Sequence, residues 1–472
     1  MKLSRWVVGC GLTITACSIY GTSNVTENGP GGSAPVTGSG GADVSQPVGT
    51  GGAGVAGGGG AGSGGSAGPA GQGGTGAAAG NDAGGESKAG LHITFPPSGA
   101  VSNDSIVVRG TSRFAESVSA IQVNGVPATS TDGFASYRTV VPLQMNGNKI
   151  VVTAEGANKA LLGTAEVTIE RFADDASIRR GGGDPFSTYR LFGMVIDTVQ
   201  HEAIICDDIF DGLARIDFAT GNRALASASE SSARGMVGKG YNDIGQPRDV
   251  TIDAPGHALV IDGSTLVGID LHTGDRTLLS GNGKGTGPEA TQFGSVGYDQ
   301  ASARAIAMDY QGNALVAIDP ISGARTVLSS ATIGTGLALN SFGAVEVDPA
   351  HDRVLTTRPY ANPIIAIDMK SGNRSVLSGD GAGTGPALQE PGALAISPSL
   401  GVVFAWDKSK HLFSIDLANG NRRIVADTAT GMGVPLASLE HLAFGDDLLY
   451  GTQGESVLAL DPIEGHRVVI AK

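Results

Sequence analysis

A chain of 472 residues with 45 acidic and 31 basic side chains has a formal charge of −14, which argues against a phosphate-backbone partner. Its 75 glycines are about twice a globular share and are unevenly spread. Three cysteines, Cys10, Cys17 and Cys206, exclude a disulfide framework.

In chain order, Lys2 and Arg5 precede an apolar stretch from Trp6 to Ile14, shorter than the about 20 residues that span a bilayer. It ends in Ile14-Thr15-Ala16-Cys17, which resembles the lipobox of bacterial lipoproteins. The resemblance implies a signal peptide over 1–16, cleavage before Cys17 and lipidation of that cysteine. Ser18 stands where an aspartate would signal inner-membrane retention, so the expected location is the cell envelope, lipid-anchored to the outer membrane. Residues 17–90 are Gly, Ala and Ser with few large apolar side chains. Such a segment buries too little surface to offset its ordering entropy, so a disordered tether is expected, with a reach of roughly 45 Å.

Residues 91–172 alternate with a period of two between turn signals. The expected strands are His92–Phe95, Ser105–Gly110, Ser119–Val123, Ser136–Val141, Lys149–Ala154 and Thr164–Arg171. Asn124-Gly125 supplies the positive φ angles of a tight hairpin. The segment reads as a small β-sandwich. Val123-Asn124-Gly125 and the run from Asn146 to Ala154 resemble the disulfide-free Ig-like modules of bacterial secreted proteins, which implies a spacer role.

Beyond residue 185 the chain repeats. Ile-Asp, two residues, a small residue with Gly, then a residue and Arg begins at Ile216-Asp217 and ends at Gly221 and Arg223. It returns at Asp270, Asp319, Asp368, Asp416 and Asp461, with spacings of 53, 49, 49, 48 and 45. A period of that size made of short strands is the pattern of a propeller. The fold class expected is therefore all-β: a six-bladed β-propeller over 185–472, preceded by the sandwich and the tether. The aspartate is expected to accept backbone N–H groups in the hairpin between third and fourth strands, with the arginine beside it. Ser177–Arg180 is a candidate extra outer strand. Gly-rich runs such as Ser280–Pro288 and Ser378–Pro386 recur, so they are connectors between blades and not nucleotide loops. Followed by Phe293-Gly294-Ser295-Val296 or Pro391-Gly392-Ala393-Leu394, they resemble NHL-repeat propellers and, more widely, the gluconolactonase-like and YVTN propellers. The histidine set of the amidating lyases and the metal set of the gluconolactonase group have no counterpart here.

Breaks in the repeat mark the candidate site. The start of the inner strand reads Phe192-Gly193, Arg248-Asp249, Gly294-Ser295, Gly343-Ala344, Gly392-Ala393 and Glu440-His441 across the six units. Arg248, Asp249, Glu440 and His441, with Glu346 further along its strand, are the candidate channel-mouth residues. No cofactor is predicted; a divalent metal held there by histidine and carboxylates would be Zn or Mn sooner than Ca. His201, His257 and His351 fall at one turn of the repeat, and Cys206 reads as a buried strand cysteine. There is no HExxH or CxxC sequence and no Gly-x-Ser-x-Gly elbow framed by a strand and a helix, and the catalytic residues are unassigned. The expected function is a non-catalytic binding module for a cell-surface protein or glycan, with no nucleic acid. The alternative is a metal-dependent envelope enzyme, a lyase or lactonase-type hydrolase.

Overall fold

The computed structural model describes residues 90–183, 191–207, 210–232, 234–241, 244–339, 343–358 and 360–472. The signal peptide, Cys17 and nearly all of the tether lie outside them. The described residues are all-β apart from two single turns of 3₁₀ helix, Ala157–Lys159 and Pro349–His351. No helix among them is long and apolar enough to cross a membrane.

The first eight strands are β1 (Gly90–Phe95), β2 (Gly99–Val101), β3 (Ser105–Arg113), β4 (Ala120–Val123), β5 (Val126–Pro127), β6 (Ser136–Pro142), β7 (Asn146–Glu155) and β8 (Leu161–Arg171). Strands β1, β3 and β6 form one sheet, and β2, β8, β7, β4 and β5 run side by side in another. Alternation does what the period predicts: Tyr137, Thr139 and Val141 of β6 are buried while Arg138 and Val140 face out. Asn124 and Gly125 both take positive φ, 49° and 80°, and turn β4 into β5. Two short strands escape the sequence reading. β5 is two residues, and β2 is three residues that follow Pro96-Pro97 and pair outside their own hairpin.

Six antiparallel four-stranded sheets follow, each in simple sequence order. The first is β9–β12 (Leu191–Asp197, Glu202–Asp207, Gly212–Asp217, Arg223–Ala228) and the second β13–β16 (Pro247–Ala254, His257–Asp262, Thr265–Asp270, Arg276–Ser280). The third is β17–β20 (Phe293–Asp299, Arg304–Asp309, Ala314–Ile318, Arg325–Ser329) and the fourth β21–β24 (Val345–Asp348, Arg353–Thr357, Ile364–Asp368, Arg374–Ser378). The fifth is β25–β28 (Leu394–Ser397, Val402–Trp406, Leu412–Asp416, Arg422–Ala426) and the sixth β29–β32 (Leu442–Gly445, Leu448–Gln453, Ser456–Leu460, Arg467–Ala471). Second and third strands are buried on both faces, which is why runs such as Ala203-Ile204-Ile205-Cys206 do not alternate. Each innermost strand packs on the next, and β29 packs on β9, so the succession returns on itself in a propeller-like arrangement. Apolar cores fill the spaces between sheets, for example Ile204, Val260 and Val267 between the first and second.

The hairpin between third and fourth strands is built as its chemistry predicts. Asp270 takes the N–H groups of His272 and Thr273 at 2.8 and 3.1 Å, and Asp319 those of Ile321 and Ser322 at 2.8 and 3.3 Å. The hairpin glycines keep φ between 69° and 75°, where any side chain is strained. The arginine departs from expectation. It faces the preceding sheet and not its own aspartate: Nη1 of Arg325 donates to Ser280 Oγ at 2.8 Å and to the Lys284 carbonyl at 3.0 Å. Arg374 does the same to Ser329, Ser330 and Ile333. The repeated arginine is thus a clamp between neighbouring sheets.

Strand β2 joins the two regions. It runs parallel to β8 and antiparallel to β32 through the pair Ala100–Val469, so the sixth sheet and the sandwich sheet form one nine-stranded sheet. Ser177–Arg180 does not add an outer strand. Only Arg180 pairs there, its N–H and carbonyl bonding Lys472 at 3.3 and 3.1 Å.

Candidate functional site

The innermost strands β9, β13, β17, β21, β25 and β29 are all sheet edges, so their channel-side N–H groups have no strand to pair with. Polar side chains of neighbouring sheets take that place. Asp249 Oδ2 accepts the Val296 N–H at 2.9 Å and the Ser295 hydroxyl at 2.6 Å. Ser295 Oγ accepts the Val345 N–H at 3.0 Å, and Glu346 Oε2 accepts the Ile396 N–H at 3.4 Å. A relay of side-chain bonds therefore runs from the second sheet to the fifth around the channel. Gly193 makes room for it, since a Cβ there would lie 2.2 Å from Asp249 Oδ1.

This setting shifts both carboxyls. Each is walled by protein yet touched by water, and burial pushes Asp249 up to about 6 despite its three hydrogen bonds. Burial, then the charge of Asp249, pushes Glu346 up to about 8. Two carboxyls facing one another disfavour each other's ionised form.

The other candidates stand apart from this pair. His441 donates from Nε2 to the Leu191 carbonyl at 2.9 Å, and burial pushes it down to about 4, so it is the neutral tautomer with its lone pair on Nδ1. Arg248 lies over the Phe192 ring, 5.7 Å from its centroid. Both flank the start of β9, on its two sides. Glu440 has its N–H on the Thr452 carbonyl at 3.1 Å; much of the residue is exposed, and the partial burial of its carboxyl raises its pKa.

One set of polar side chains the sequence reading missed. Asp262, Asp309 and Asp407, at or just after the ends of second strands, tie down the residues that lead into the first strand of the same sheet. Asp262 accepts Gly245 and Gln246 N–H at 3.0 and 2.8 Å, and Asp309 accepts Thr291 and Gln292 N–H at 2.8 and 3.1 Å. The signal was present as an aspartate closing an apolar run in four of the six copies, Asp207, Asp262, Asp309 and Asp407. Aromatic side chains gather at this same end: Phe192 at the start of β9, Phe210 and Tyr310 in turns after second strands, and Tyr360, which is 68 % exposed. Arg234 stacks on Phe210 at 4.6 Å. Arg248 and Arg358 each hold a buried Nε with no acceptor among the described residues. Phe192 and Arg248 share one position of the repeat, while Phe210, Tyr310 and Tyr360 follow second strands in turns of unlike length.

Among the described residues one trio of His, Asp or Glu has ligand atoms within 4.8 Å of one another, and it lies outside the channel: Asp461, Glu464 and His466. Asp461 Oδ2 is buried without a hydrogen bond to the described residues, but the trio's other groups are engaged. Asp461 pairs with Arg109 of β3 at 2.5 Å, and Glu464 with Arg138 of β6 at 2.9 Å. His466 Nδ1 accepts the Met432 N–H at 2.9 Å, so its proton sits on Nε2 and points to Glu464 at 2.8 Å. An imidazole in that state offers a metal no lone pair, and the trio suits docking of the sandwich better than ligation.

No family model matches the chain, and no curated protein matches it. Solved structures similar to it include an auxiliary nutrient binding protein from Bacteroides ovatus, with 14 % identity, a TM-score of 0.44, and coverage of 78 % of this chain and 94 % of that one. A structural genomics protein of unknown function from Bacteroides thetaiotaomicron has 13 % identity, a TM-score of 0.45, and coverage of 81 % and 99 %. A gluconolactonase from Xanthomonas campestris has 10 % identity, a TM-score of 0.42, and coverage of 62 % and 97 %. At these identities and scores the likenesses carry no functional argument.

Proposed function

We propose that this is a cell-envelope lipoprotein whose six sheets are the blades of a β-propeller over 185–472, preceded by an Ig-like sandwich over 91–172. In this reading residues 1–16 are a signal peptide, Cys17 is lipidated within the lipobox-like Ile14-Thr15-Ala16-Cys17, and 17–90 tether the folded part to the outer membrane. The propeller is a non-catalytic binding module, and its connector end takes a glycan or protein.

The observation that carries this reading is Arg248, which lies over the Phe192 ring, with Arg358: the Nε groups of both lack acceptors among the described residues, at the end of the sheets where Tyr310 and Tyr360 also stand. Aromatic faces stack on sugar rings, and guanidinium forks match carboxylates. The channel carboxyls, by contrast, are engaged in holding inner strands together.

Affinity electrophoresis of the full chain in gels containing polygalacturonate, alginate or neutral glucan tests it. Retardation by at least one glycan, lost in Arg248→Ala with Arg358→Ala, is the expected result. Hydrolysis of lactone or ester substrates at a rate abolished by EDTA would overturn it and favour the metalloenzyme.

A further inference from the structure

The interfaces between successive sheets are fastened by a recurring device, and one of them is completed from outside the repeat. Near the end of each of the first four sheets stands a serine: Ser227, Ser280, Ser329 and Ser378. Its hydroxyl donates to the hairpin-glycine carbonyl of the following sheet at 2.7–2.8 Å, as Ser329 does to Gly372, and accepts from that sheet's clamping arginine. Between them runs a connector of the form Gly-x-Gly. In Gly334-Thr335-Gly336 the central carbonyl takes the Arg374 N–H at 2.8 Å, and the first glycine lies so close to the Gly372 carbonyl that a Cβ would be 1.9 Å from it.

At the seam between sixth and first sheets the serine position is Ala471, opposite Val457. The connector slot of this seam is filled by Gly181-Gly182-Gly183, which precedes the first sheet in sequence. Its central carbonyl takes the Arg223 N–H at 2.8 Å, and a Cβ on Gly181 would lie 1.8 Å from the Gly221 carbonyl, the geometry seen at the other connectors. Gly182 N–H bonds Asn222 Oδ1 at 2.7 Å, as Thr335 N–H bonds Asn373 Oδ1 at 2.8 Å. Arg180 completes the fastening from one buried guanidinium. Nε donates to the Ile470 carbonyl of the sixth sheet at 3.0 Å, and Nη2 to the Ala219 carbonyl of the first at 2.8 Å. Behind it Nη1 holds Glu170 of β8 at 3.0 Å. The sandwich core is also continuous with the seam: Phe95, Val101 and Ile169 belong to the buried cluster that holds Val468, Ile470 and Tyr450.

We propose that Arg180–Gly183, backed by the sandwich, is the closing connector of the ring. The sandwich is then a structural part of the propeller and holds the binding end in a fixed direction, in place of a detachable spacer. This rests on reading the six sheets as a closed propeller.

Hydrogen exchange of the full chain, with Arg180→Ala and with the conservative Arg180→Lys in case the first does not fold, tests the closure. The expected result is exchange at least tenfold faster in β32 and in the Asp217–Arg223 hairpin, with the third and fourth sheets unchanged. No change at the seam, or an equal change in all six sheets, overturns the proposal. A parallel measurement keeps the ring reading separate. His201 and Asp446 meet across the same seam at 2.8 Å, so His201→Cys with Asp446→Cys, in a chain carrying Cys10→Ser and Cys17→Ser, is expected to cross-link with a short bismaleimide. Cross-linking without seam-selective exchange overturns the closure and leaves the ring standing; no cross-linking overturns both.

Discussion

Glu346→Gln separates the carboxyl's charge from its hydrogen bond, because the amide oxygen still accepts the Ile396 N–H. The folded carboxyl is raised from the ordinary glutamate value of 4.5 to about 8, first by burial and then by Asp249. A raised folded pKa means that Glu346 favours the folded chain below about 4.5, where both states are protonated or the folded one holds its proton, and that this contribution is lost as pH rises through 8. At about 1.4 kcal/mol for each pH unit, the ceiling of the loss is ~5 kcal/mol. Water in the channel screens the carboxyl and brings the expected cost to ~2 kcal/mol. Urea midpoints of wild type and Glu346→Gln between pH 5 and pH 9 read it directly. The variant is expected to match wild type near pH 5 and to exceed it by ~2 kcal/mol at pH 9. A difference that is constant with pH, or that grows toward low pH, would refute the assignment of a buried, proton-holding carboxyl.

Three further outcomes follow from the same geometry. Asp249→Asn removes the charge that helps raise Glu346, so the alkaline loss of stability is expected to be complete at lower pH, again read from urea midpoints. Removing the charge lowers the Glu346 pKa and leaves it ionised at less cost, so the total alkaline loss should also be smaller. Ser329→Ala breaks the bond to the Gly372 carbonyl and one of the Arg374 bonds and is expected to cost ~1–3 kcal/mol by thermal or chemical unfolding; a cost below 0.5 would contradict the clamp. Gly372→Ala places a Cβ 2.3 Å from the Leu328 carbonyl at φ 71° and is expected to cost more than ~1 kcal/mol, whereas Gly147→Ala, with open space around it, should cost less in the same assay.

The repeat was legible because its hairpin chemistry is local: an aspartate accepts amides two and three residues on, and a glycine four residues on supplies the positive φ. The arginine of the same motif was misread because its acceptors lie some 40 residues away on the preceding sheet, where spacing within one copy says nothing. Strand β2 was hidden for a similar reason, since its three residues gain their partners from β8 and β32 and not from a hairpin. Aligning inner strands did find Asp249 and Glu346, because a carboxylate among small residues stands out in a column. It did not foresee that the neighbouring sheets use these carboxyls to satisfy bare strand edges, nor that His441 and Arg248 turn to opposite sides of β9. Phe210, Tyr310 and Tyr360 sit in turns of unlike length, so the inner-strand column, which held Phe192, did not contain them.

The claim that the channel carboxyls serve the fold and not metal chemistry is tested most directly by thermal unfolding of the full chain after EDTA treatment, titrated with Ca, Mg, Mn and Zn. A ligand at 100 times its dissociation constant adds about 2.7 kcal/mol, enough to move the midpoint visibly. The account predicts no metal-specific rise. A rise with one metal that disappears in Asp249→Asn or His441→Ala would contradict it and place a metal centre in the channel.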